Sequence, residues 1–233
     1  MPNDNQTSKP ANQPTGKLYV VSTPIGNLAD ITLRAIETLK TVDLIAAEDT
    51  RHTKILLDRY GITKPTTSYF QHSKIQKVEY LIGQLKEGKS IALVSDAGTP
   101  GISDPGYKII RLCIDNNIPI IPIPGPSGLI TALTISGKPT DKFTFEGFLS
   151  NKSGRRQNQL KKLRDEGRTA VLYEAPHRIM KLLEDILAVY GDVEIALGRE
   201  LTKKFEEIRR EKVSASIEHF KSKGVKGEFI VLI

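Results

Sequence analysis

Apolar residues in the first half of this chain form short runs, separated by stretches in which they recur every three or four positions. The short runs predict buried strands at residues 18–21, 43–47, 91–94 and 118–123. The stretches between them have the spacing of one helical face, with apolar positions at Leu33, Ile36 and Leu39, at Ile55, Leu56 and Leu57, at Val78, Leu81, Ile82 and Leu85, and at Ile109, Ile110, Leu112, Cys113 and Ile114. Strand and helix therefore alternate repeatedly, which predicts a mostly parallel α/β sheet.

The second half differs in composition, and we place a domain boundary between residues 137 and 138. Strands are predicted at residues 143–148, 169–173, 194–197 and 228–233, with helical segments between several of them. The chain is therefore expected to hold an N-terminal α/β domain at 17–137 and a C-terminal α/β domain at 138–233. Residues 1–16 are polar, lack the hydrophobic segment of a secretory signal, and are predicted to be a disordered leader.

Composition and charge narrow the class of protein. The 233 residues carry a net charge of +7, which is compatible with a polyanionic partner. No apolar run approaches the ~20 residues of a membrane span, so we expect a cytoplasmic protein without membrane association. The single cysteine, Cys113, excludes a disulfide framework and favours a reducing compartment. Its position on an apolar helical face predicts a core residue and not a nucleophile.

The stretch at residues 95–106 follows a predicted strand and precedes a predicted helix. It contains three glycines, two prolines and only two aliphatic side chains, Ala97 and Ile102. Because it cannot contribute much to a core, it offers a ligand its backbone and its short polar groups. We interpret it as a ligand site, and the alternative is an elaborate strand-to-helix turn. Asp104 and Pro105 are interpreted as the N-cap and the first position of the following helix.

Several common ligand-binding and catalytic motifs are absent. No Gly-x-Gly-x-x-Gly follows the first strand, and no Gly-x-Ser-x-Gly is present. These absences argue against a dinucleotide fingerprint and an α/β-hydrolase nucleophile. The histidines lie far apart, without the spacing of paired metal ligands, and we therefore predict no metal site; they are His52, His72, His177 and His219.

Polar residues gather instead where predicted strands end. The loops concerned are residues 22–27, 48–52, 95–106, 124–128, 174–178 and 199–203. Ligands of open α/β sheets bind at the carboxyl edge of the strands, where such loops meet. Three of these loops are rich in Gly, Pro and hydroxyl groups, which suits a neutral or zwitterionic ligand. The other three carry fixed charges, which suits a phosphate-bearing substrate and proton transfer. The sequence therefore predicts a cofactor-binding site and a polar reaction site.

The same loops carry motifs that resemble one protein family. They are Ser-Thr-Pro-Ile-Gly-Asn-Leu-Ala-Asp-Ile-Thr at 22–32, Ala-Glu-Asp-Thr-Arg at 47–51, the stretch 95–106, Pro-Gly-Pro-Ser at 124–127, Tyr-Glu-Ala-Pro-His-Arg at 173–178 and Arg-Glu-Leu-Thr-Lys at 199–203. In this order they resemble the ribosomal RNA small subunit methyltransferase I family, which belongs to the tetrapyrrole-methylase superfamily of S-adenosylmethionine enzymes. The resemblance runs from Lys17 to Ile233.

This resemblance implies a fold, a partner and a reaction. The implied fold is α/β, with two α/β domains of the tetrapyrrole-methylase type and the cofactor cleft between them, in a homodimer. The implied reaction is methyl transfer from S-adenosylmethionine to the ribose 2′-oxygen of a cytidine in the decoding region of 16S rRNA, within the 30S subunit. Family members usually extend past the last strand into a small helical segment. We therefore expect a segment that contributes to RNA binding to be missing after Ile233.

The resemblance also implies which residues hold the cofactor. They are Pro24, Ile25, Asp96, Ala97, Gly98, Thr99, Pro100, Ser103, Pro126, Ser127 and Leu172. Asp96 has the chemistry to accept hydrogen bonds from ribose hydroxyls or from an amino group. The alternative for Asp96 is an Asx-turn that orders its own loop.

Methylation of a 2′-hydroxyl requires that its proton be removed or shared, and a positioned base contributes to the rate. The candidate acceptors are Glu48, Asp49, Glu174, His177 and Glu200, and the candidate clamps for phosphate or ribose are Arg51, Arg178, Arg199 and Lys203. The alternative for Glu48 and Asp49 is a buried ion-pair network with Arg51. The alternative for His177 is a capping and positioning role at the start of a helix. The sequence leaves the proton acceptor open.

The segment 152–168 is predicted to be a cationic helix that contacts the RNA backbone. The residues expected to do so are Lys152, Arg155, Arg156, Lys161 and Lys162. A second patch comprises Lys203, Lys204, Arg209 and Arg210, although nearby glutamates favour a solvated, charge-balanced surface for the last two. Two other functions remain open: methylation of a corrin precursor, which would not need the cationic helix, and non-catalytic RNA binding in ribosome assembly.

Overall fold

The structure is a computed structural model that describes residues 15–70, 73 and 75–233. The predicted leader lies outside the described residues except for Thr15 and Gly16, and His72 lies outside them too. The chain divides into two compact units. The first unit comprises residues 15–24 and Leu28–Pro126, and the second comprises Ile25–Asn27 and Ser127–Ile233.

The first unit is a parallel sheet with helices on both faces. Its strands are β1 (Leu18–Val21), β2 (Leu44–Ala47), β3 (Thr66–Ser68), β4 (Ile91–Val94) and β5 (Ile120–Ile123), and its helices are α1 (Leu33–Thr41), α2 (Thr50–Arg59), α3 (Ile75–Lys86) and α4 (Tyr107–Asp115). The strand order is β3-β2-β4-β1-β5, and every neighbouring pair is parallel. The predicted parallel α/β sheet is confirmed.

Alternate residues of each strand face different hydrophobic clusters. Ile45 and Ala47 of β2 pack in the cluster formed with α1 and α2, whereas Ala46 packs in the cluster formed with α3 and α4. The two covered faces explain why the apolar runs are nearly continuous instead of alternating with polar residues. Cys113 is fully buried in the second cluster, and burial raises the pKa of its thiol to about 11. Its predicted role as a core residue is confirmed.

Two local predictions in the first unit are wrong. Leu33 is the first residue of α1 and is 79% exposed, because the buried side of that helix is formed by Ala35, Thr38 and Leu39. Helix α4 begins at Tyr107, with Gly106 as its N-cap, and not after Asp104. Asp104 is instead part of the loop before the helix, where its carboxyl group meets other acidic groups.

The second unit is built around a mixed sheet. Its elements are α5 (Gly128–Ile135), β6 (Phe143–Gly147), α6 (Ser153–Glu166), β7 (Thr169–Glu174), α7 (Pro176–Tyr190), β8 (Glu194–Arg199), β9 (Glu207–Lys212), α8 (Val213–Lys223) and β10 (Phe229–Leu232). The strand order is β6-β7-β10-β8-β9. Only β6 and β7 pair in parallel, and the other neighbours are antiparallel.

Helix α5 belongs to the second unit, so the units divide at Pro126/Ser127 and not at the predicted 137/138. Ala132 and Leu133 of α5 pack in one cluster with Leu232 of β10. Their packing partners are distant in sequence, which is why a change in composition along the chain does not locate this boundary.

Strand β9 and helix α8 were not predicted. β9 is an edge strand that pairs only with β8, and its sequence is Glu-Ile-Arg-Arg-Glu-Lys. Charged side chains are common on edge strands, where they discourage pairing with other chains, but they remove the apolar pattern that identifies a strand.

The helices in the part of the chain that the structure describes include none with the length and apolar character of a membrane span.

Candidate functional site

Three strand-end loops of the first unit are joined by hydrogen bonds at the carboxyl edge of neighbouring strands β4, β1 and β5. Thr23 and Gly98 exchange backbone hydrogen bonds of 2.8 and 3.0 Å. The hydroxyl groups of Ser22 and Thr99 lie 2.9 Å apart, and the Thr99 hydroxyl donates to the carbonyl of Pro126 over 3.4 Å. The prediction that these loops meet at one edge is confirmed for the loops after these three strands.

The backbone of the loop at 95–106 adopts conformations that favour glycine over residues with a side chain. Gly98 and Gly101 have φ angles of +82° and +87°, in the left-handed region that favours glycine. Ser103 has a φ of +60°, a conformation that costs a non-glycine residue free energy. A Cβ atom on Gly106 would lie 2.9 Å from the backbone nitrogen of Gly101, so the end of the loop is in close contact with its middle.

Asp96 connects this loop to the loop after β2. Its Oδ1 accepts a 3.0 Å hydrogen bond from the backbone N–H of Asp49. In return, the Asp96 N–H donates to Oε2 of Glu48 over 3.5 Å. The carboxylate therefore bonds across two loops, in contrast to the Asx-turn considered as its alternative role.

Three carboxyl groups gather beside this connection: Glu48, Asp96 and Asp104. Burial and then the charge of Glu48 raise the pKa of Asp104 to about 7, although a hydrogen bond from Ser95 opposes the shift. Burial and then the charge of Asp96 raise the pKa of Glu48. Burial together with mutual repulsion produces such shifts, because both disfavour the charged carboxylate. Asp104 was not predicted to belong to the site, although its place in the same loop as Asp96 was a usable signal.

Asp49 is the N-cap of α2. Its carboxylate accepts from the Arg51 N–H at 2.8 Å and lies 2.7 Å from Nη2 of Arg51. Hydrogen bonds from Arg51 lower the pKa of Asp49 to about 2, so it is a weak base at neutral pH. The Arg51 side chain is 90% exposed, and the buried ion-pair network considered for these residues is wrong because this pair lies on the surface.

The second unit contains the other half of the predicted polar residues. Glu174 is buried at the end of β7, where Oε1 accepts from the Ala175 N–H at 3.0 Å and lies 3.0 Å from Nε of Arg178. Among the described residues Oε2 of Glu174 has no hydrogen-bond partner. Burial raises the pKa of Glu174, opposed by the Ala175 N–H and by Arg178. His177 is exposed in the first turn of α7.

The loop after β8 is held in an unusual conformation. Glu200 and Thr202 both have positive φ angles, +49° and +66°, and Thr202 accepts a hydrogen bond from the Asn27 N–H. The Lys203 ammonium donates to Glu200 at 3.0 Å and to Glu228 at 2.9 Å. Burial acts to lower the pKa of Lys203, but these carboxylates outweigh it and the pKa is raised. Lys203 is therefore a cation already paired with two carboxylates.

One predicted RNA contact is wrong. Arg156 is 2% exposed, and its Nε donates to Oδ2 of Asp185 at 2.6 Å. A buried guanidinium in this pair cannot reach a phosphate. The exposed members of the predicted set are Lys152, Arg155, Lys161 and Lys162.

In the second patch, Arg209 pairs with Glu211 and Glu207, and Arg210 donates to the carbonyl of Ile135. These contacts agree with the charge-balanced surface favoured for Arg209 and Arg210.

The predicted cofactor residues divide between the units. Pro24, Asp96, Ala97, Gly98, Thr99, Pro100, Ser103 and Pro126 lie in the first unit, and Ile25, Ser127 and Leu172 lie in the second. Glu48, Asp49 and Arg51 lie in the first unit, and Glu174, His177, Arg178 and Lys203 in the second.

Residues 17–216 match the family described as Tetrapyrrole (Corrin/Porphyrin) Methylases. The chain belongs to this family. Among curated methylase relatives, "Ribosomal RNA small subunit methyltransferase I" of Synechocystis sp. is 51% identical over 219 residues, which cover 94% of this chain and 78% of the relative. The tetrapyrrole-methylase assignment thus includes most of both units.

Solved structures agree with the methylase fold. A diphthine synthase matches with a TM-score of 0.73 at 16% identity, covering 94% of this chain and 90% of that one. The uroporphyrin-III C-methyltransferase of Thermus thermophilus, whose structure is described as a complex with S-adenosyl homocysteine, matches with a TM-score of 0.66 at 16% identity over 93% of this chain and 97% of that one. The expected α/β fold of the tetrapyrrole-methylase type is confirmed.

Proposed function

We propose that this protein transfers the methyl group of S-adenosylmethionine to the ribose 2′-oxygen of a cytidine in the decoding region of 16S rRNA. The observation that carries the proposal is the 51% identity, over 94% of the chain, to a methyltransferase of small-subunit ribosomal RNA. The ordered loop motifs and the exposed cations of α6 support the same substrate class.

The residues of the first unit fit S-adenosylmethionine chemically. This cofactor carries a sulfonium and an ammonium group. Burial, and then repulsion among the carboxyl groups of Glu48, Asp96 and Asp104, raises the pKa of Glu48 and of Asp104. A bound cation relieves that repulsion. The backbone of residues 97–100 and the adjoining Ser103 would hold the uncharged parts of the cofactor, together with Pro24 and Pro126. When bound, the cofactor supplies an electrophilic methyl group.

Further support for this cofactor comes from a relative of the same fold. The uroporphyrin-III C-methyltransferase structure is described with S-adenosyl homocysteine, which is the compound left after S-adenosylmethionine has given up its methyl group.

The chain's own residues would orient the ribose and accept its proton. Asp49 is committed to capping α2, Glu200 is paired with Lys203, and Glu174 is buried beneath the surface. We therefore propose the proton acceptor to be Glu48 or His177. Glu48 becomes a stronger base as its pKa rises, and His177 is exposed to a substrate.

The substrate is proposed to be the 30S subunit, and the active form a homodimer in the cytoplasm. Lys152, Arg155, Lys161 and Lys162 are proposed to contact phosphates, since all four are exposed along one helix segment. Sedimentation equilibrium of the purified chain tests the dimer, because the monomer mass is 25.8 kDa.

The experiment that tests the reaction is incubation with tritiated S-adenosylmethionine and either 30S subunits or tetrapyrrole precursors. We expect label in the rRNA of 30S subunits, located to a ribose by nuclease digestion and mass spectrometry. Asp96→Ala should abolish labelling, whereas Asp115→Ala, at an exposed pair with Arg111, should not. Label found only in tetrapyrroles would instead indicate a corrin-precursor methylase. Binding to 30S without label would indicate an assembly factor.

A further inference from the structure

Phe148 is an exposed aromatic residue in the segment that joins β6 to α6. Its side chain is 54% exposed, whereas the next residue, Leu149, is buried in the core of the second unit. Large exposed aromatic side chains are common at sites that bind unpaired nucleic-acid bases, because every base can stack on a ring. We propose that Phe148 is a stacking platform for an unpaired base of the RNA substrate.

The ring of Phe148 is oriented by its neighbours. It contacts Tyr173 with ring centroids 6.0 Å apart and planes 72° apart, and Tyr173 in turn contacts Phe145 with centroids 4.9 Å apart. Because the planes of Phe148 and Tyr173 are nearly perpendicular, the two rings make an edge-to-face contact and are not stacked on each other. Such edge-to-face contacts favour one ring orientation.

The backbone that follows Phe148 is fixed by two arginines. Nη2 of Arg178 donates to the carbonyl of Leu149 at 2.5 Å, and Nη1 of Arg156 donates to the carbonyl of Ser150 at 3.1 Å. The two arginines come from different helices, so the segment is attached to both α7 and α6. Stacking of a base on Phe148 would therefore cost little conformational entropy, because the segment is already ordered.

Each arginine is in turn held by a buried carboxylate. Arg156 pairs with Asp185 at 2.5 Å, and Arg178 lies 3.0 Å from Glu174. This arrangement gives both arginines a role that does not require contact with RNA. They are positioning residues for the segment that carries Phe148.

The surroundings of Phe148 favour RNA over an apolar partner. Lys152 and Arg155 are exposed just beyond it, and the sequence contains no acidic residue between 147 and 164. An exposed aromatic ring followed along the chain by exposed cations matches a base and its phosphate. The inference rests on the proposed function, since it assumes an RNA substrate.

The first test compares Phe148→Leu, which removes the ring, with Phe148→Tyr, which keeps it. Loss of one base–aromatic stack weakens binding by roughly 5- to 150-fold. We expect Phe148→Leu to raise the Kd for 30S subunits, or for an RNA fragment of the decoding region, by about that factor. Phe148→Tyr should stay near wild type. Phe143→Leu is the matched control, because Phe143 is an exposed aromatic at the other end of β6.

A second test detects the contact directly. The sequence contains no tryptophan, so Phe148→Trp introduces a single indole at the platform. We expect the indole emission, excited at a wavelength where the tyrosines do not absorb, to be quenched when decoding-region RNA saturates the protein, because a stacked base quenches indole fluorescence. Unchanged emission at saturation would overturn the proposal even if Phe148→Leu folds poorly.

The outcomes separate this inference from the proposed function. If the wild-type protein neither binds nor labels rRNA, the proposed function fails first. If the wild-type protein labels rRNA but Phe148→Leu binds and reacts normally, only the stacking platform is wrong. If Phe148→Leu loses RNA affinity together with a change in sedimentation, Phe148 belongs to an interface between copies of the chain and the proposal is also overturned.

Discussion

Nη2 of Arg156 lies 2.5 Å from Oδ2 of Asp185, inside the second unit and beneath an exposed face of α6. Asp185 also accepts hydrogen bonds from the hydroxyl of Ser153 and from the amide of Gln157. These contacts satisfy the carboxylate and attach the first turns of α6 to α7. Arg156, one of the cations of α6, therefore holds this helix in position. Because it is buried, it does not contribute to the cationic surface of the helix.

Replacing this arginine should destabilise the fold. Arg156→Met leaves Asp185 buried without a counter-charge, and breaking a buried pair costs about 3–5 kcal/mol of unfolding free energy. The neighbouring Arg155 is exposed, so Arg155→Met should change stability by less than about 0.5 kcal/mol. Urea-induced unfolding measures both variants, and equal stabilities would contradict the role assigned to the pair.

Asp104 should make stability depend on pH. Its pKa is about 7 in the folded protein against an ordinary value of 3.8, so the folded state binds more protons between these values. Protonated Asp104 makes its full contribution to stability below about pH 4. This contribution is lost as the pH rises through 7. Asp104→Asn keeps a neutral group and should be more stable than wild type at pH 8. Thermal melting at pH 5 and pH 8 checks this, and parallel pH curves for the two proteins would count against it.

The close contact at Gly106 should make this position intolerant of a side chain. Its φ of 165° is extended backbone, so the obstacle is space: a Cβ atom would lie 2.9 Å from the Gly101 nitrogen. Gly106→Ala should cost about 1–3 kcal/mol of stability and weaken binding of S-adenosylmethionine, measured by calorimetry. Gly83→Ala, in the middle of α3 with open space around it, should instead stabilise by about 0.5–1 kcal/mol.

Asp49 can be tested as a cap and as a base with the same pair of variants. Asp49→Ala removes the N-cap of α2 and should lower the stability of the protein, whereas Asp49→Asn retains a capping oxygen and should recover most of that loss. Because its pKa of about 2 makes it a poor base, Asp49→Asn should also retain methyl transfer. A well-folded but inactive Asp49→Asn would show that the carboxylate takes part in the reaction.

RNA binding should weaken with salt in proportion to the number of exposed cations that meet phosphates. Without the buried Arg156, four of the five predicted contacts remain. Four contacts to single-stranded RNA give a slope of log K against log salt near −3. Filter binding over a range of KCl concentrations provides the slope. Lys161→Ala should reduce its magnitude by about 0.7, and a slope near zero would exclude phosphate contacts.

The sequence predicted the first unit better than the second for a physical reason. Parallel strands that are covered on both faces appear in the sequence as continuous apolar runs. Because the loops after such strands lie at the same edge of the sheet, the pattern alone predicted that Ser22, Asp96 and Pro126 lie near one another. In the second unit the edge strand β9 is stabilised by pairing with β8 and by ion pairs such as Arg209–Glu211, which leave no apolar pattern.

Individual side chains were harder to place than loops. Arg155 and Arg156 are adjacent and identical, yet one is exposed and one is buried, because only Arg156 faces Asp185 on α7. Asp104 was interpreted from its local context as a cap, whereas it is partly buried and lies near Glu48, which is distant in sequence. Both errors concern partners that local spacing does not specify.

Strand β10 follows every other strand of its sheet along the chain, yet it lies at the centre, between β7 and β8. During synthesis β7 and β8 therefore leave the ribosome with unpaired inner edges. These edges stay unpaired until residues 229–232 have also left the ribosome and can form β10. The first unit has no such delay, because its sheet is complete once β5 has emerged. A nascent chain halted before Phe229 would carry a finished first unit beside an open second one, with strand edges available to chaperones and to aggregation.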